Sequence, residues 1–137
     1  MIDMIPSASG FPSVDFEITE TPTRTYRMYL DDGVIRGYTD MRAAMKQAIY
    51  KILNTERYQY VIYSWNYGVE LQDLFGMPIG YVCPELERRI TEALTWDSRI
   101  ESVSDFDFDL SRKGVVAMTF TAHTIYGDVD GEHEVSI

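Results

Sequence analysis

The spacing of apolar residues separates segments of strand character from segments of helical character. In residues 25 to 38, TYRMYLDDGVIRGY, alternating β-forming residues flank Asp32 and Gly33 on both sides. These two residues accept the positive φ of a tight turn, so the segment is predicted to form a β-hairpin.

A helix is predicted directly after the hairpin. Apolar residues recur at a spacing of three and four from Asp40 onward, and Thr39 or Asp40 can cap the first turn. The helix should end near Asn54 and pack on a sheet through its apolar side. This apolar stripe consists of Met41, Ala44, Met45, Ala48, Ile49, Ile52 and Leu53.

The middle of the chain is predicted to hold a short strand, a short helix and a second long helix. β-branched and aromatic residues from Tyr60 to Tyr63 predict the strand, and residues 69 to 75 are predicted to form the short helix. Residues 77 to 82 are predicted to be a loop. Pro84 is then expected in the first turn of the second helix, which should stop near Trp96. The buried stripe of this helix consists of Leu86, Ile90, Ala93 and Leu94.

After the second helix, apolar and polar residues again alternate with a period of two, which predicts a three-stranded antiparallel meander. The strands cover residues 105 to 110, 115 to 126 and 132 to 137, and residues 127 to 131 are predicted to be the last turn. We expect one face of the first two strands to lie in the core. The residues on these faces are Phe106, Phe108, Leu110, Val116, Met118, Phe120 and Ala122.

These elements predict a single α+β domain over residues 25 to 137, with a β-hairpin and two main helices packed on a mixed sheet that includes the antiparallel meander. Residues 1 to 24 are predicted to form an extended N-terminal arm. Residues 1 to 23 hold three of the five prolines and no Lys or Arg. Because apolar side chains are embedded in the arm, we expect it to dock, with Phe11 and Phe16 as candidate contacts.

Charge and composition narrow the possible partners. Among 137 residues the chain has 22 acidic and 12 basic side chains, so its net charge is −10. Such a surface repels phosphate backbones, which argues against nucleic acid as a partner. No apolar run approaches the roughly 18 residues of a membrane span, and the first residues lack the pattern of a signal peptide. Cys83 stands alone, so no internal disulfide is expected and a reducing cytoplasm fits.

Candidate catalytic groups are present, but they form no recognisable site, and no cofactor is expected. A glycosidase needs two carboxyls about 5 to 10 Å apart, yet with 22 acids some pair will always be close. His123 and His133 lack a third clustered ligand, so ordinary strand residues are favoured over a metal site. Cys83 has no nearby histidine to act as a base, so a buried thiol is favoured. The acids that could supply a pair are Glu70, Asp73, Glu85, Glu92 and Asp97.

The remaining features concern binding to other proteins. The last strand, EHEVSI, has no later segment to cover its outer edge, and an open edge can accept a strand from another chain. Asp97 and Arg99 lie two residues apart where the helical pattern gives way to the strand pattern. On a strand the two side chains would share a face and could present a fork to a partner backbone. Equally, a local ion pair could fix this corner.

Two stretches resemble a known family. AIYKILNTERYQYVIYSWNYGVELQDLFG and ELERRITEALTWDSRIESVSDFDF are similar to gene-25-like baseplate wedge proteins, the sheath initiators of contractile phage tails. The likeness is greatest to the branch found in defective prophages and phage-tail-like bacteriocins, and it covers roughly residues 25 to 126. The resemblance implies a fold like the handshake domain of sheath subunits and a structural role without catalysis. The family's old label, lysozyme-like, supplies the alternative of a peptidoglycan-cleaving enzyme.

The resemblance also implies partners and contact residues. The family's Glu-Pro-Arg motif meets the core bundle of the wedge and corresponds in part to Asp97-Ser98-Arg99, where the arginine is kept, Asp replaces Glu and Ser replaces Pro. Asp97 and Arg99 are therefore candidate wedge contacts. The implied partners are the sheath protein, other wedge subunits, and tail tube or hub proteins. Several copies would form a ring in a virion or phage-tail-like particle that is assembled in the host cytoplasm.

The last strand would take part in strand addition with the sheath. Main-chain hydrogen bonds would hold the added strand, and alternate side chains such as Val135 and Ile137 would provide complementarity to it. The candidate strand-exchange residues are Glu132, His133, Glu134, Val135, Ser136 and Ile137.

Overall fold

The computed structural model describes residues 23 to 137, which form two α-helices and five strands, so the predicted α+β class is confirmed. Of the predicted arm, only Thr23 and Arg24 belong to the described residues, and the candidate contacts Phe11 and Phe16 lie outside them. The elements in chain order are β1 (Thr25–Tyr29), β2 (Val34–Thr39), α1 (Met41–Leu53), a 3₁₀ turn (Gln72–Leu74), α2 (Ile79–Thr95), β3 (Ile100–Asp109), β4 (Val115–Thr124) and β5 (Gly127–Ser136).

The described strands form two separate antiparallel sheets, so the expectation of one mixed sheet is wrong. One sheet is the hairpin β1–β2, and the other has the strand order β3-β4-β5. A side chain of α1 occupies the outer edge of β1 in the hairpin. The amide of Gln47 accepts from Met28 N at 3.0 Å and donates to Tyr26 O at 2.7 Å. A side-chain amide thus takes the place of a neighbouring strand.

The core lies between the helices and the inner face of the three-stranded sheet. α1 packs on β5, and α2 packs on β3. Asp40 caps α1 by accepting a hydrogen bond from Met41 N at 2.7 Å, and the helix ends before Asn54, as predicted. The predicted core face of β4 is also confirmed, and its buried residues are Val116, Met118, Phe120 and Ala122.

The second helix starts earlier than its sequence pattern predicts. It begins at Ile79, within the predicted loop, and Pro84 lies inside the helix instead of in its first turn. Hydrogen bonds from Tyr81 N and Val82 N to Pro78 O, at 2.9 and 3.0 Å, anchor the start. Val82 is fully buried, so the additional turn of helix brings one more apolar side chain into the core.

The predicted strand from Tyr60 to Tyr63 is wrong, because residues 57 to 68 form a loop. A parallel bridge between Glu56 and Val69 brings the two ends of this loop together, so the chain folds back instead of extending. The short helix predicted after the loop is reduced to the single 3₁₀ turn.

β4 and β5 form a tight hairpin, so the turn predicted over residues 127 to 131 is wrong. The turn is the dipeptide Ile125-Tyr126, and β5 begins at Gly127. Val129 and Gly131, which the sequence pattern placed in the turn, are buried strand residues. Because this segment is rich in acidic residues and glycines, the alternation of buried and exposed positions was not apparent from the sequence.

β3 is bent by a bulge. Its register with β4 shifts between Ser104 and Asp107, and Asp105 there has a φ of 58°. Phe106 and Phe108 pack against the core, as predicted. Leu110 is 45% exposed because it lies beyond the end of β3, so its predicted core position is wrong.

Candidate functional site

The outer edge of β5 is the first candidate surface. β4 and β5 pair without a bulge, with Val116 opposite Val135, and Ile137 N continues the ladder by donating to Gly114 O at 2.9 Å. Backbone groups along an antiparallel strand alternate between the partner strand and the far side. The odd-numbered residues of β5 therefore bond to β4, and the even-numbered residues direct their N–H and C=O groups away from the sheet.

Helix α1 forms a hydrogen bond to the start of this edge. Nη2 of Arg42 donates to the outward-directed carbonyl oxygen of Asp128 at 2.7 Å, and the Arg42 stem lies beside Gly127. Among the described strands, β5 pairs with β4 alone. The residues whose backbone groups remain on the open side are Asp130, Glu132, Glu134 and Ser136.

The predicted strand-exchange residues divide between the two faces of β5. The side chains of Glu132, Glu134 and Ser136 are exposed on the outer face. Val135 is buried and Ile137 packs against the core, so both side chains are directed into this chain. Any fit to an incoming strand must therefore come from the outer-face residues.

The two histidines lie on opposite faces of the sheet. His133 is partly buried on the core side, and burial lowers its pKa against the opposing effect of the Glu134 carboxylate. The His123 ring lies on the outer face, 2.6 Å from Ser104 Oγ and 2.8 Å from Asp128 Oδ1. Residues 23 to 137 contain no group of three or more His, Cys, Asp or Glu side chains that could hold a metal ion.

Acidic side chains follow one another along the outer face of β5. They occupy every second position, at Asp128, Asp130, Glu132 and Glu134. Arg112 pairs with Glu134, and the His123 ring contacts Asp128. Within the described part of the chain, no salt bridge involves Asp130 or Glu132. The middle of the open edge therefore carries two carboxylates outside any salt bridge, with Lys46 of α1 lining the same pocket.

The second candidate surface is the corner between α2 and β3. Asp97 and Arg99 lie in the turn between α2 and β3, where the sequence pattern placed the corner, and do not share the face of a strand. The Asp97 carboxylate accepts hydrogen bonds from Arg99 N at 3.0 Å, Nε at 2.9 Å and Nη2 at 2.7 Å. Burial alone would raise the pKa of Asp97, but the hydrogen bonds and charge of Arg99 outweigh it, and the pKa is lowered. Arg99 O also accepts from Ile125 N at 3.0 Å, which ties the corner to the turn between β4 and β5.

Residues 57 to 68, hereafter the aromatic loop, lie beside this corner. Arg57 holds the base of the loop, since its Nε donates to Gly68 O at 3.2 Å and its Nη1 pairs with Glu92 of α2 at 3.3 Å. Gly68 has a φ of +89°, and a Cβ there would lie 2.5 Å from Thr55 O. This close approach requires glycine, so the base of the loop is fixed.

The tip of the aromatic loop exposes large apolar side chains. The exposed fractions are 102% for Val61, 84% for Ile62 and 76% for Trp65. Residues 58 to 68 contain no charged side chain. Neighbouring apolar side chains that are exposed together mark an interaction surface. This surface was not predicted from the sequence, because Tyr60 to Tyr63 were assigned to a strand. The long uncharged run of aromatic residues was the signal that could have indicated it.

A cavity of about 290 Å³ joins the aromatic loop to the corner. Burial raises the pKa of Tyr67 in its wall, and the charges of Tyr63 and Asp97 raise it further. The ion pair and the aromatic loop are thus parts of one continuous surface. Its lining includes Ile52, Ser64, Tyr67, Ala93, Trp96 and Asp97.

Arginines hold two of the candidate acids, Glu85 and Asp73, in their ionised form. Hydrogen bonds from Arg88 and Arg89 lower the pKa of Glu85, and a hydrogen bond from Arg89 lowers that of Asp73. A general acid in a glycosidase needs a raised pKa. Burial raises the pKa of Cys83, which keeps this thiol protonated. No helix of the described part is long and apolar enough to cross a bilayer.

Comparison with known proteins gives the relatives of this chain. A family model described as contractile injection system sheath initiator matches residues 20 to 127, which include the aromatic loop and the corner. The chain is 35% identical over 127 residues to the phage-like element PBSX protein XkdS of Bacillus subtilis (strain 168), and the match covers 89% of this chain and 88% of that relative. These matches confirm the resemblance found in the sequence and support a structural, sheath-related role. The chain therefore belongs to the sheath initiator family of contractile injection systems.

Proposed function

We propose that this chain is a baseplate wedge component that starts the sheath by accepting a sheath strand along the open edge of β5. The observation that carries the proposal is the row of outward-directed backbone groups from Asp130 to Ser136, which pair with no other strand in the described part of the chain. A strand that adds to this edge satisfies these groups with main-chain hydrogen bonds, which supply affinity without a specific side chain.

The exposed side chains of β5 indicate the chemistry of the incoming strand. Val135 is buried, so selection depends on the outer-face acids Asp130, Glu132 and Glu134. Lys or Arg side chains opposite these acids would form cross-strand pairs worth about 0.2–1 kcal/mol each. We therefore expect the sheath strand to carry basic residues at alternate positions.

The wedge would attach at the corner and the aromatic loop. Asp97 and Arg99 neutralise each other, and the neighbouring loop tip is apolar and uncharged. A partner that fits this surface has an apolar patch, with polar groups at its border that reach the ion pair. The correspondence with the family's Glu-Pro-Arg motif supports the same location.

The remaining parts of the proposal concern the assembly. Residues 25 to 137 would act as one domain and residues 1 to 24 as an arm. Several copies would form a ring in contact with tail tube or hub proteins, in a virion or phage-tail-like particle assembled in the host cytoplasm. The net charge of −10 favours basic protein surfaces as neighbours and argues against nucleic acid.

A single backbone substitution tests strand addition. Glu132→Pro removes an outward-directed N–H and leaves the ladder to β4 intact, a change that edge strands tolerate. Glu132→Ala removes the same side chain but keeps the N–H, so it is the matched control. We expect Glu132→Pro to fold but to lose co-sedimentation with the matching sheath protein, while Glu132→Ala retains it. Equal sheath binding by the two variants would rule out a backbone contact at this residue.

A further inference from the structure

We propose that residues 14 to 20 of this chain's own N-terminal segment bind a cleft on the β1–β2 hairpin. Gln47 occupies the outer edge of β1, so this docking uses side chains instead of a new strand pair. The contact concerns the isolated chain and is independent of sheath and wedge. The cleft, hereafter the hairpin cleft, is lined by Arg24, Thr25, Tyr26 and Tyr38.

The hairpin cleft presents a cation beside two aromatic rings. The guanidinium of Arg24 lies 4.3 Å from the ring centroid of Tyr38, which stacks on Tyr26 with the centroids 5.2 Å apart. Both tyrosines are more than half exposed, at 62% for Tyr26 and 56% for Tyr38. The cleft has a volume of about 420 Å³, enough for an apolar side chain next to a carboxylate.

The charge of Arg24 acts on the nearby Asp40 carboxylate and helps to lower its pKa, but the arginines of the hairpin form no salt bridge in the described part of the chain. No salt bridge among residues 23 to 137 involves Arg24, Arg27 or Arg36, and all three lie over tyrosine rings. A two-stranded hairpin is only marginally stable by itself. A ligand that is both acidic and apolar would compensate the charges and cover the rings.

The N-terminal segment has this complementary composition. In VDFEITE, residues 14 to 20, the apolar residues Val14, Phe16 and Ile18 alternate with polar ones. In an extended chain this alternation places the apolar side chains and Glu20 on one side, and Asp15, Glu17 and Thr19 on the other. No Lys or Arg precedes Arg24, and the acids of the segment are Asp15, Glu17 and Glu20.

The attachment point of the segment favours its own hairpin over that of a second copy. Thr23 is buried, where its hydroxyl donates to the Asp40 carboxylate and accepts from Met41 N at 3.0 Å. The chain is therefore fixed one residue before the cleft, and residue 14 can be at most ~30 Å from this anchor. A short tether gives an effective concentration on the order of millimolar, far above that of a second copy in dilute solution.

Chymotrypsin cleavage after Phe16 in the full chain tests the proposal. The exposed tyrosines of the aromatic loop supply an internal reference for protease activity. In the arm variant Asp15→Asn, Glu17→Gln, Glu20→Gln, we expect the relative cleavage rate after Phe16 to rise about tenfold, because cleavage follows the undocked population. The control variant Glu87→Gln, Glu101→Gln, Asp107→Asn replaces exposed acids away from the proposed contacts, changes the net charge equally and should retain the wild-type rate.

A second variant is needed because Glu17 adjoins the cleaved bond. Arg24→Gln leaves the protease site unchanged and should accelerate cleavage after Phe16 to a similar extent, as should high salt. Equal rates in the wild type, the arm variant and Arg24→Gln would overturn the proposal. Protection that increases with protein concentration over about 1 to 100 µM would assign the contact to a second copy and overturn the docking within one chain.

Discussion

The ring of Phe120 on β4 lies over Gly131 on β5, so closely that a Cβ at Gly131 would come 2.3 Å from Phe120 Cζ. The two residues are direct cross-strand partners. Glycine at this position lets the aromatic ring enter the core without displacing β5. The contact between Phe120 and Gly131 therefore holds β5 in place on β4, and the opposite edge of β5 is the one open to partners.

Gly131→Ala is expected to lower the free energy of unfolding by about 1–3 kcal/mol, because the Phe120 ring must move or β5 must shift. Urea unfolding of the purified chain measures the change. Gly80→Ala is the control, since a Cβ at Gly80 meets no atom within 4 Å, and it should be neutral or slightly stabilising. A Gly131→Ala protein as stable as wild type would show that the ring is not confined by Gly131.

Arg99→Gln is expected to lower the free energy of unfolding at neutral pH by about 1–2 kcal/mol, because it removes charge-assisted hydrogen bonds from a partly buried pair. The pKa of Asp97 is lowered from its ordinary value of 3.8, so the pair contributes stability above that pH. The contribution is lost as the pH falls through the folded-state pKa. The difference between wild type and Arg99→Gln should therefore shrink in urea unfolding below pH 3.8.

A second variant, Arg99→Ala, separates the two interpretations of the corner. Arg99→Ala protein that folds but fails to enter baseplates would support a docking role. Arg99→Ala protein that is poorly expressed or unfolded would favour a purely local ion pair. Arg112→Gln is the control, because the Arg112–Glu134 pair is largely exposed, and it should change stability by less than about 0.5 kcal/mol.

His133 is expected to make the stability of the chain depend on pH near neutrality. Burial lowers the pKa of His133 below its ordinary value of 6.5, so the folded state favours the neutral ring. The free energy of unfolding is therefore not reduced by His133 above pH 6.5, and it falls as the pH drops from 6.5 toward the folded-state pKa of His133. His133→Gln should reduce the loss of stability between about pH 7.5 and 5.5 in urea unfolding. An identical pH dependence in wild type and His133→Gln would contradict this assignment.

The double variant Val61→Ser, Ile62→Ser is expected to change the free energy of unfolding by no more than about 0.5 kcal/mol, because both side chains are exposed. Its binding to the matching wedge subunits, measured by pull-down, should be lost. Ile79→Ser replaces another partly exposed apolar residue, away from the loop, and should bind normally. Wild-type binding by the double variant would exclude the loop tip from the wedge contact.

The parts of the fold that follow from the sequence are those in which burial sets the local pattern. α1 shows its apolar stripe and its Asp40 cap, and β4 has one buried residue at every second position. The likeness to sheath initiators was also readable from the sequence, because it depends on an ordered series of motifs in these and the neighbouring elements.

The parts that could not be predicted depend on contacts between distant segments. The aromatic loop has the composition of a strand, and only the bridge between Glu56 and Val69 makes it a loop. Gly131 belongs to a strand because Phe120 fills the space above it. The hairpin sheet is completed at the edge of β1 by Gln47, a helix residue that no local pattern connects to that strand.

Residue-resolved amide hydrogen exchange of β5, with and without the matching sheath protein, tests strand addition most directly. In the free chain, the outward-directed amides of Glu132 and Glu134 should exchange fast, while the inward-directed amide of His133 is protected by β4. We predict that bound sheath protects Glu132 and Glu134 and leaves His133 unchanged. Fast exchange of both outward amides in the sheath-bound chain would contradict the account.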